Sequence, residues 1–207
     1  SVTLGLNIKT IGEYAFYDNQ NITSVTIGSN VLRIGSLAFH DCGNLVEVVN
    51  KSNLNIEVGS YEYGDVAVYA QKVLTGEDEK GEVFDVGDYS FYKQGGEYIL
   101  YRYNGSDKEL TLPGLIDGGH TYKIGRNVFK ENKKIISVVI PESVTAIGDS
   151  AFSNCQNLTS VVIGENVSTI EEHAFFYCSS LTSVVIGENV STIGAYAFDE
   201  CSKLISV

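Results

Sequence analysis

Four cysteines are the residues best suited to chemistry in this 207-residue sequence, and three of them are evenly spaced. Cys155, Cys178 and Cys201 lie 23 positions apart in nearly identical surroundings. Asparagine replaces cysteine in two further copies, so the cysteine row comprises Asn19, Cys42, Asn132, Cys155, Cys178 and Cys201. The pattern allows buried thiols beside the backbone, disulfides between stacked segments, or a zinc site. We favour buried thiols, because ligands arranged in a line do not match the tetrahedron that Zn²⁺ requires.

The histidines and glutamates do not form a catalytic set. The histidines are His40, His120 and His173. None of them belongs to a cluster with a nucleophile, so a surface position is favoured over acid–base catalysis. Glu142, Glu165 and Glu188 share one position, where Ca²⁺ could bridge two carboxylates, but a solvated acidic edge is favoured. The sequence therefore predicts a protein that is not an enzyme and has no cofactor or metal.

Charge and hydropathy argue against several kinds of partner. The formal net charge of −12 argues against binding to nucleic acid or to an anionic membrane surface. No apolar run approaches the roughly 18 residues of a membrane span, so no direct membrane insertion is expected. The sequence has no initiator Met or signal peptide and starts and stops in mid-repeat. We therefore expect an excised piece whose natural protein continues past at least one end.

The cysteines belong to an internal repeat of 23 residues. The repeat reads I-G-x-x-A-F-x-x-C-x-x-L-x-S-V-x-I, and its first position recurs at Ile147, Ile170 and Ile193. A fixed period of this length is typical of a solenoid, in which each coil packs on its neighbours. The alternation in L-x-S-V-x-I predicts one strand per coil, stacked into a parallel sheet. The I-G-x-x-A-F part is too short for a full helix, so we expect one helical or 3₁₀ turn there.

Each repeat also contains one phenylalanine that we expect to point inward. The phenylalanine row comprises Phe16, Phe39, Phe129, Phe152, Phe175 and Phe198. Because coils of a solenoid stack directly on one another, these rings should lie one above the next. The row is therefore predicted to be a buried structural feature of the solenoid.

The whole chain, residues 1–207, is interpreted as a single solenoid with regular coils at 1–50 and 124–207. Residues 51–123 are interpreted as stretched coils of the same solenoid. Within this middle part, Val58–Tyr63 and Val86–Phe91 are similar to the I-G-x-x-A-F segment. We expect both segments to form coil corners.

Two further features are predicted in the middle part. The apolar spacing between Val66 and Val73 is helical and Asp65 suits an N-cap, so we predict a helix over 65–74. Two alternating aromatic runs between Tyr89 and Tyr103 flank a Gln-Gly-Gly sequence, which is typical of a β-hairpin. These interpretations place Phe91 both in a core corner and in a hairpin, and the sequence leaves that choice open.

The strand pattern predicts a surface on which a partner could bind. In S-V-x-I the second and fourth residues point inward, so the serine and the variable residue point outward. The predicted partner-binding face comprises Val49, Val139, Val162, Val185, Ser137, Ser160 and Ser183. Other outward positions are Thr26, Thr111 and Glu47. A contiguous apolar row is typical of an interaction site, although valine also suits any strand.

The repeat resembles the BspA-like leucine-rich repeats, also called treponemal-type, whose I-G-x-x-A-F-x-x-C-x-x-L form is seen from Ile147 to Leu181. The resemblance covers 1–50 and 124–207 well and the middle loosely. The sequence departs from it at Glu171, at Val128 and at the two asparagines of the cysteine row. The resemblance implies an α/β-type, β-rich leucine-rich repeat solenoid on secreted or surface proteins of host-associated bacteria and some protists.

The same resemblance implies adhesion or partner binding instead of catalysis. We therefore expect a non-enzymatic extracellular module that binds a protein or glycan on a host or neighbouring cell through the sheet face. The alternative is a structural spacer or stalk within a larger cell-surface protein. No binding residue is carried over, because binding residues in this family do not form a motif.

Overall fold

The computed structural model describes residues 1–76 and 78–206. The chain divides into two compact units, unit 1 at Ser1–Gly81 and unit 2 at Glu82–Val207. Strands one period apart pair in parallel within both units. The stacked parallel coils that the repeat predicts are therefore confirmed.

The described part of unit 1, residues 1–76 and 78–81, consists of short strands and a brief helical segment. These elements are β1 (Val2–Thr3), β2 (Thr10–Ile11), β3 (Ser24–Ile27), β4 (Arg33–Ile34), β5 (Glu47–Asn50), α1 (Glu62–Asp65) and β6 (Lys72–Leu74). Strands β1, β3, β5 and β6 form one parallel sheet, and β2 pairs with β4 in another. Each of the first two coils therefore contributes a strand to both sheets.

The described part of unit 2, residues 82–206, has the same plan with an antiparallel addition. Its strands are β7 (Glu82–Val86), β8 (Tyr89–Gln94), β9 (Glu97–Tyr103), β10 (Glu109–Thr111), β11 (Tyr122–Ile124), β12 (Ser137–Ile140), β13 (Val144–Ile147), β14 (Ser160–Ile163), β15 (Thr169–Ile170), β16 (Ser183–Val185) and β17 (Thr192–Ile193). A four-stranded sheet has the order β10-β12-β14-β16. A seven-stranded sheet has the order β17-β15-β13-β11-β9-β8-β7.

The register of the four-stranded sheet follows the repeat. Residues 23 positions apart are paired, as Val138 is with Val161 and Val161 is with Val184. These three valines are at most 3% exposed. Because side chains alternate along a strand, the residue that follows each buried valine must point away from the core.

The I-G-x-x-A-F-x-x-C segment of each coil is a run of turns, so the predicted helical or 3₁₀ turn is wrong. Ser150 and Asn154 have left-handed φ angles of 55° and 60°, and the equivalent residues of other regular coils do the same. The Phe152 N–H donates to the Ala174 carbonyl of the next coil at 2.7 Å. A helix needs consecutive bonds within its own segment, so these bonds between coils replace it.

The helix predicted over 65–74 is also wrong. Segment α1 ends at Asp65, and Tyr63 and Gly64 within it have positive φ angles of 51° and 66°. The chain then turns and enters β6 beside β5. The apolar spacing arises because Val66, Ala67 and Ala70 are fully buried along a curved coil.

The corner predicted at Val58–Tyr63 is displaced by two residues. The Phe39 N–H donates to the Gly64 carbonyl at 2.7 Å, as Phe152 does to Ala174. Gly64 therefore takes the place of the repeat alanine, which the sequence alignment assigns to Glu62. An added Cβ at Gly64 would meet the Gly35 carbonyl oxygen and the Ala38 side chain, so only glycine fits.

The corner predicted at Val86–Phe91 is not formed, because Gly87 and Asp88 connect β7 to β8 in an antiparallel pair. Strands β8 and β9 form the hairpin, with positive φ at Gly95 and Gly96. Phe91 belongs to this hairpin and is also fully buried. Both descriptions hold, because the β7-β8-β9 meander extends the seven-stranded sheet and packs its inner face on the core.

Candidate binding face

Three valines of the four-stranded sheet in unit 2 point outward and are open to solvent. Val139, Val162 and Val185 are 41%, 43% and 58% exposed. They pair in register, Val139 with Val162 and Val162 with Val185. Adjacent strands lie about 4.8 Å apart, so the side chains form one continuous strip. We call these three residues the valine row.

A row of hydroxyl groups lies beside the valine row. Ser137, Ser160 and Ser183 pair in register two positions earlier in the same strands and are half-buried. Thr111 pairs with Val139 and is exposed, so it extends the valine row by one strand. The face therefore presents an apolar strip next to groups that can both donate and accept hydrogen bonds.

An acidic edge follows the same strands. Glu142, Glu165 and Glu188 are all exposed there. The Glu165 carboxylate accepts the backbone N–H of Glu188 at 2.8 Å, so one carboxylate stabilises the turn of the next coil. Among the described residues, no group of three or more His, Cys, Asp or Glu side chains could hold a metal ion.

Val49 does not belong to an exposed face, contrary to the prediction. It is 3% exposed, and the outward residues Glu47 and Thr26 are 2% and 8% exposed. The backbone N–H of Gly81 donates to the Glu47 carboxylate at 2.7 Å. Gly81 therefore lies beside the outward end of β5. Strand alternation gives the direction of a side chain but not what lies on top of it.

The phenylalanine row forms parallel ring stacks within each unit. In unit 2, Phe129, Phe152, Phe175 and Phe198 follow one another with centroid distances of 4.7, 5.1 and 5.1 Å. Phe16 and Phe39 stack at 4.9 Å in unit 1. Phe16 and Phe198 are half-buried, whereas the other four are at most 1% exposed. These rings fix the spacing of the coils and hence the register of the valine row.

The cysteines of the cysteine row are free, buried thiols. Each Sγ donates to the phenylalanine carbonyl 26 positions earlier, for example Cys155 to Phe129 at 3.0 Å and Cys178 to Phe152 at 3.2 Å. Burial raises the pKa of Cys155 to about 12. Burial also raises the pKa of Cys42. Cys42 and Cys155 are therefore neutral thiols and poor nucleophiles, and each joins its coil to the preceding one.

The asparagines of the cysteine row have a different role. Asn132 is half-buried, and its Oδ1 accepts the N–H groups of Lys134 and Ile135 at 2.9 and 3.3 Å. Asn19 is exposed and donates to the Tyr17 carbonyl at 3.2 Å. Asn132 differs from the cysteines because the residue 26 positions earlier, Ser106, lies in a loop and not in a regular turn.

The histidines make aromatic contacts or hydrogen bonds. His40 Nδ1 lies 2.7 Å from the Asp65 carboxylate, and Asp65 is 6% exposed. His120 stacks on Tyr98 at 4.6 Å. His173 stacks on Tyr196 at 5.2 Å. These contacts position turns and loops.

A shallow cleft of about 430 Å³ lies on the turn side of unit 2. Its lining includes Ser153, Asn154 and Gln156 from one coil and His173, Phe176 and Tyr177 from the next. The sequence analysis does not predict this cleft, because these positions vary between coils. The sequence feature that could have indicated the cleft is the change from Ser153-Asn154 to Phe176-Tyr177 one period later.

Comparison with known proteins identifies the repeat. A sequence profile of the BspA type leucine-rich repeat region matches residues 1–73 and 120–207, in six copies. Among curated proteins, none matches the sequence. Within the described part of the chain, no helix has the length and hydropathy needed to cross a membrane.

Solved structures with the same kind of repeat are similar to this chain. A T. pallidum leucine-rich repeat protein is 25% identical, with a TM-score of 0.51 over 59% of this chain and 69% of its own. A leucine-rich repeat protein from Bacteroides capillosus is 31% identical, with a TM-score of 0.48 over 54% and 86%. A leucine rich cell surface protein from Faecalibacterium prausnitzii is 20% identical, with a TM-score of 0.46 over 99% and 58%.

Proposed function

This chain belongs to the BspA-type leucine-rich repeat family, and we propose that it is a non-enzymatic, extracellular binding module. Its partner is a protein or a glycan on a host or neighbouring cell. The contact surface is the valine row of unit 2 with the adjoining serines. Leucine-rich repeat surface proteins act generally in protein binding or adhesion, and the open, in-register valine row is the observation that carries the proposal.

The valine row is better explained by a partner than by strand preference alone. Threonine also suits a strand and stands at the equivalent outward position in β10, as Thr111. Valine at three successive strands instead leaves apolar surface in water, which is typical of an interaction site. Burying the open half of one valine side chain contributes about 1 kcal/mol.

The parallel sheet also lowers the cost of binding. The valine row is held in strands whose backbone bonds are already made, so little conformational entropy is lost on contact. The serine hydroxyls alongside can satisfy polar groups at the edge of the contact. A rigid apolar strip with a polar margin is the usual anatomy of a protein-binding surface.

The test replaces two valines of the row with lysine. Val162→Lys with Val185→Lys should weaken binding of fluorescently labelled protein to cultured epithelial cells by about 30-fold, since about 2 kcal/mol of apolar contact is lost. The far-UV circular dichroism and the unfolding temperature should change little, because both side chains face solvent. Flow cytometry measures the binding.

The matched control is Thr169→Lys with Thr192→Lys, which adds the same charge to the same two coils on the seven-stranded sheet. The control should bind cells as the unmodified protein does. Equal binding by the valine variant would refute the proposed face, and an unfolded valine variant would show that these side chains point inward. If the unmodified protein binds no cells, the spacer alternative is favoured.

A further inference from the structure

We propose that the cleft on the turn side of unit 2 is a second binding site, specific for a neutral saccharide ring. Its volume of about 430 Å³ falls in the range of small-ligand sites, roughly 300–1,000 Å³. The valine row lies in strands, whereas the cleft is lined by the turn segments of adjacent coils. The cleft is therefore independent of the valine row and of its partner.

Aromatic side chains form one wall of the cleft. Phe176 and Tyr177 are consecutive, their ring centroids are 6.2 Å apart, and Tyr177 is 42% exposed. His173 lies perpendicular to Phe176 at 5.5 Å. These rings stand outside the buried phenylalanine row and present apolar faces, and Tyr177 and His173 also carry polar groups. Such faces match the C–H face of a pyranose ring.

Polar side chains of the preceding coil also line the cleft. They are Ser153, Asn154 and Gln156. Gln156 donates to Asn154 Oδ1 at 2.9 Å, and the Asn154 Nδ2 has no partner in the described part of the chain. Sugar hydroxyls, which both donate and accept, would satisfy these groups.

The charge of the cleft selects against ionic ligands. Lys130 and Glu131 both line it, so their charges cancel locally within a protein of net charge −12. A strongly acidic or basic ligand would be attracted by one of these side chains and repelled by the other. Hydroxyl and amide groups lie around the aromatic rings, which disfavours a purely apolar ligand. A neutral saccharide fits both conditions.

The test uses the full chain and a panel of neutral oligosaccharides of glucose, galactose, mannose and N-acetylglucosamine. Saturation-transfer NMR should detect binding of at least one of them. Phe176→Ser with Tyr177→Asn should weaken that binding about tenfold or more, because the aromatic wall is lost. These replacements copy Ser153 and Asn154 of the preceding coil, and asparagine tolerates the positive φ of Tyr177 (56°), so the fold should persist.

The outcomes separate this site from the valine row. Val162→Lys with Val185→Lys should leave the saccharide signal unchanged, whatever that variant does to cell binding. The proposal is overturned if no neutral oligosaccharide binds the unmodified protein, or if the Phe176 and Tyr177 variant binds equally well. A sialylated oligosaccharide that gives the stronger signal would contradict the neutral assignment.

Discussion

Replacing Phe175 with alanine should destabilise unit 2 more than the same change at Phe198, the C-terminal end of its phenylalanine row. Phe175 is fully buried and stacks at 5.1 Å on both Phe152 and Phe198. Its backbone also binds the following coil, since its N–H donates to the Ala197 carbonyl and its own carbonyl accepts the Cys201 thiol. The ring is therefore the contact that two successive coils share.

The expected magnitude follows from the buried area. A buried phenylalanine ring removes about 150 Å² or more from water, which at about 25 cal/mol per Å² is worth about 4 kcal/mol. Alanine retains a small part of this stabilisation, while the cavity left behind adds a further cost. We therefore expect the free energy of unfolding to fall by about 3–5 kcal/mol. Phe198→Ala should cost about half as much, because Phe198 is half-buried.

Urea denaturation followed by circular dichroism measures the total loss of stability. Hydrogen exchange with mass spectrometry locates it, and protection should fall most in β14, β15 and β16 and least in the β8-β9 hairpin. An unfolding midpoint unchanged by Phe175→Ala would refute the reasoning that the phenylalanine row holds the coils together. A uniform loss of protection across unit 2 would refute the view that each coil depends on its neighbours.

Three further predictions concern the thiols, a glycine and a carboxylate. Thiol labelling should be slow in buffer and should reach four thiols per chain in denaturant without reductant; fewer would indicate disulfides. Gly64→Ala should lower the free energy of unfolding by about 3 kcal/mol or more in a urea titration, because the site has positive φ and the added Cβ would contact Gly35. Gly95→Ala should lower it by about 1 kcal/mol, because that site has positive φ but open space around it. The Tyr98 hydroxyl and then Lys93 hold the pKa of Asp117 below its usual value. A carboxylate whose pKa is lowered by folding stabilises the fold at pH values above its unfolded pKa, and this stabilisation is lost as pH falls through the folded pKa. Asp117→Asn should therefore flatten the acid limb of a plot of unfolding temperature against pH. An unaltered acid limb would contradict this.

The repeat period could be predicted because each coil repeats the same contacts one coil later. The Phe152 N–H reaches Ala174, and the Cys178 thiol reaches the Phe152 carbonyl. A fixed spacing in sequence satisfies these bonds at every step, so the spacing of phenylalanine and cysteine reveals the stack. The open valine row follows from the same register.

The turn geometry could not be predicted, because many of its left-handed residues are neither glycine nor asparagine. His173 and Tyr177 have φ angles of 53° and 56°, although neither is glycine or asparagine. Bonds from their N–H groups to Ala195 and Asp199 of the next coil hold them in this conformation. Neighbouring coils therefore override local preference.

The burial of Val49 could not be predicted for a different reason. Its strand has the expected alternation, and β5 pairs in the expected register with β3. On the outward side of the same strand, the Gly81 N–H donates to the Glu47 carboxylate, 34 positions earlier. The local pattern that gives the alternation does not encode such a contact.

Photo-crosslinking from the valine row tests the proposed binding face most directly. A photoreactive phenylalanine derivative placed at Val162 should form a covalent adduct with a cell-surface molecule when the labelled protein is irradiated on cultured cells. The same group placed at Thr169, in the same coil on the seven-stranded sheet, should give little adduct. Adduct formation at Thr169 but not at Val162 would contradict the assignment of the valine row as the partner surface.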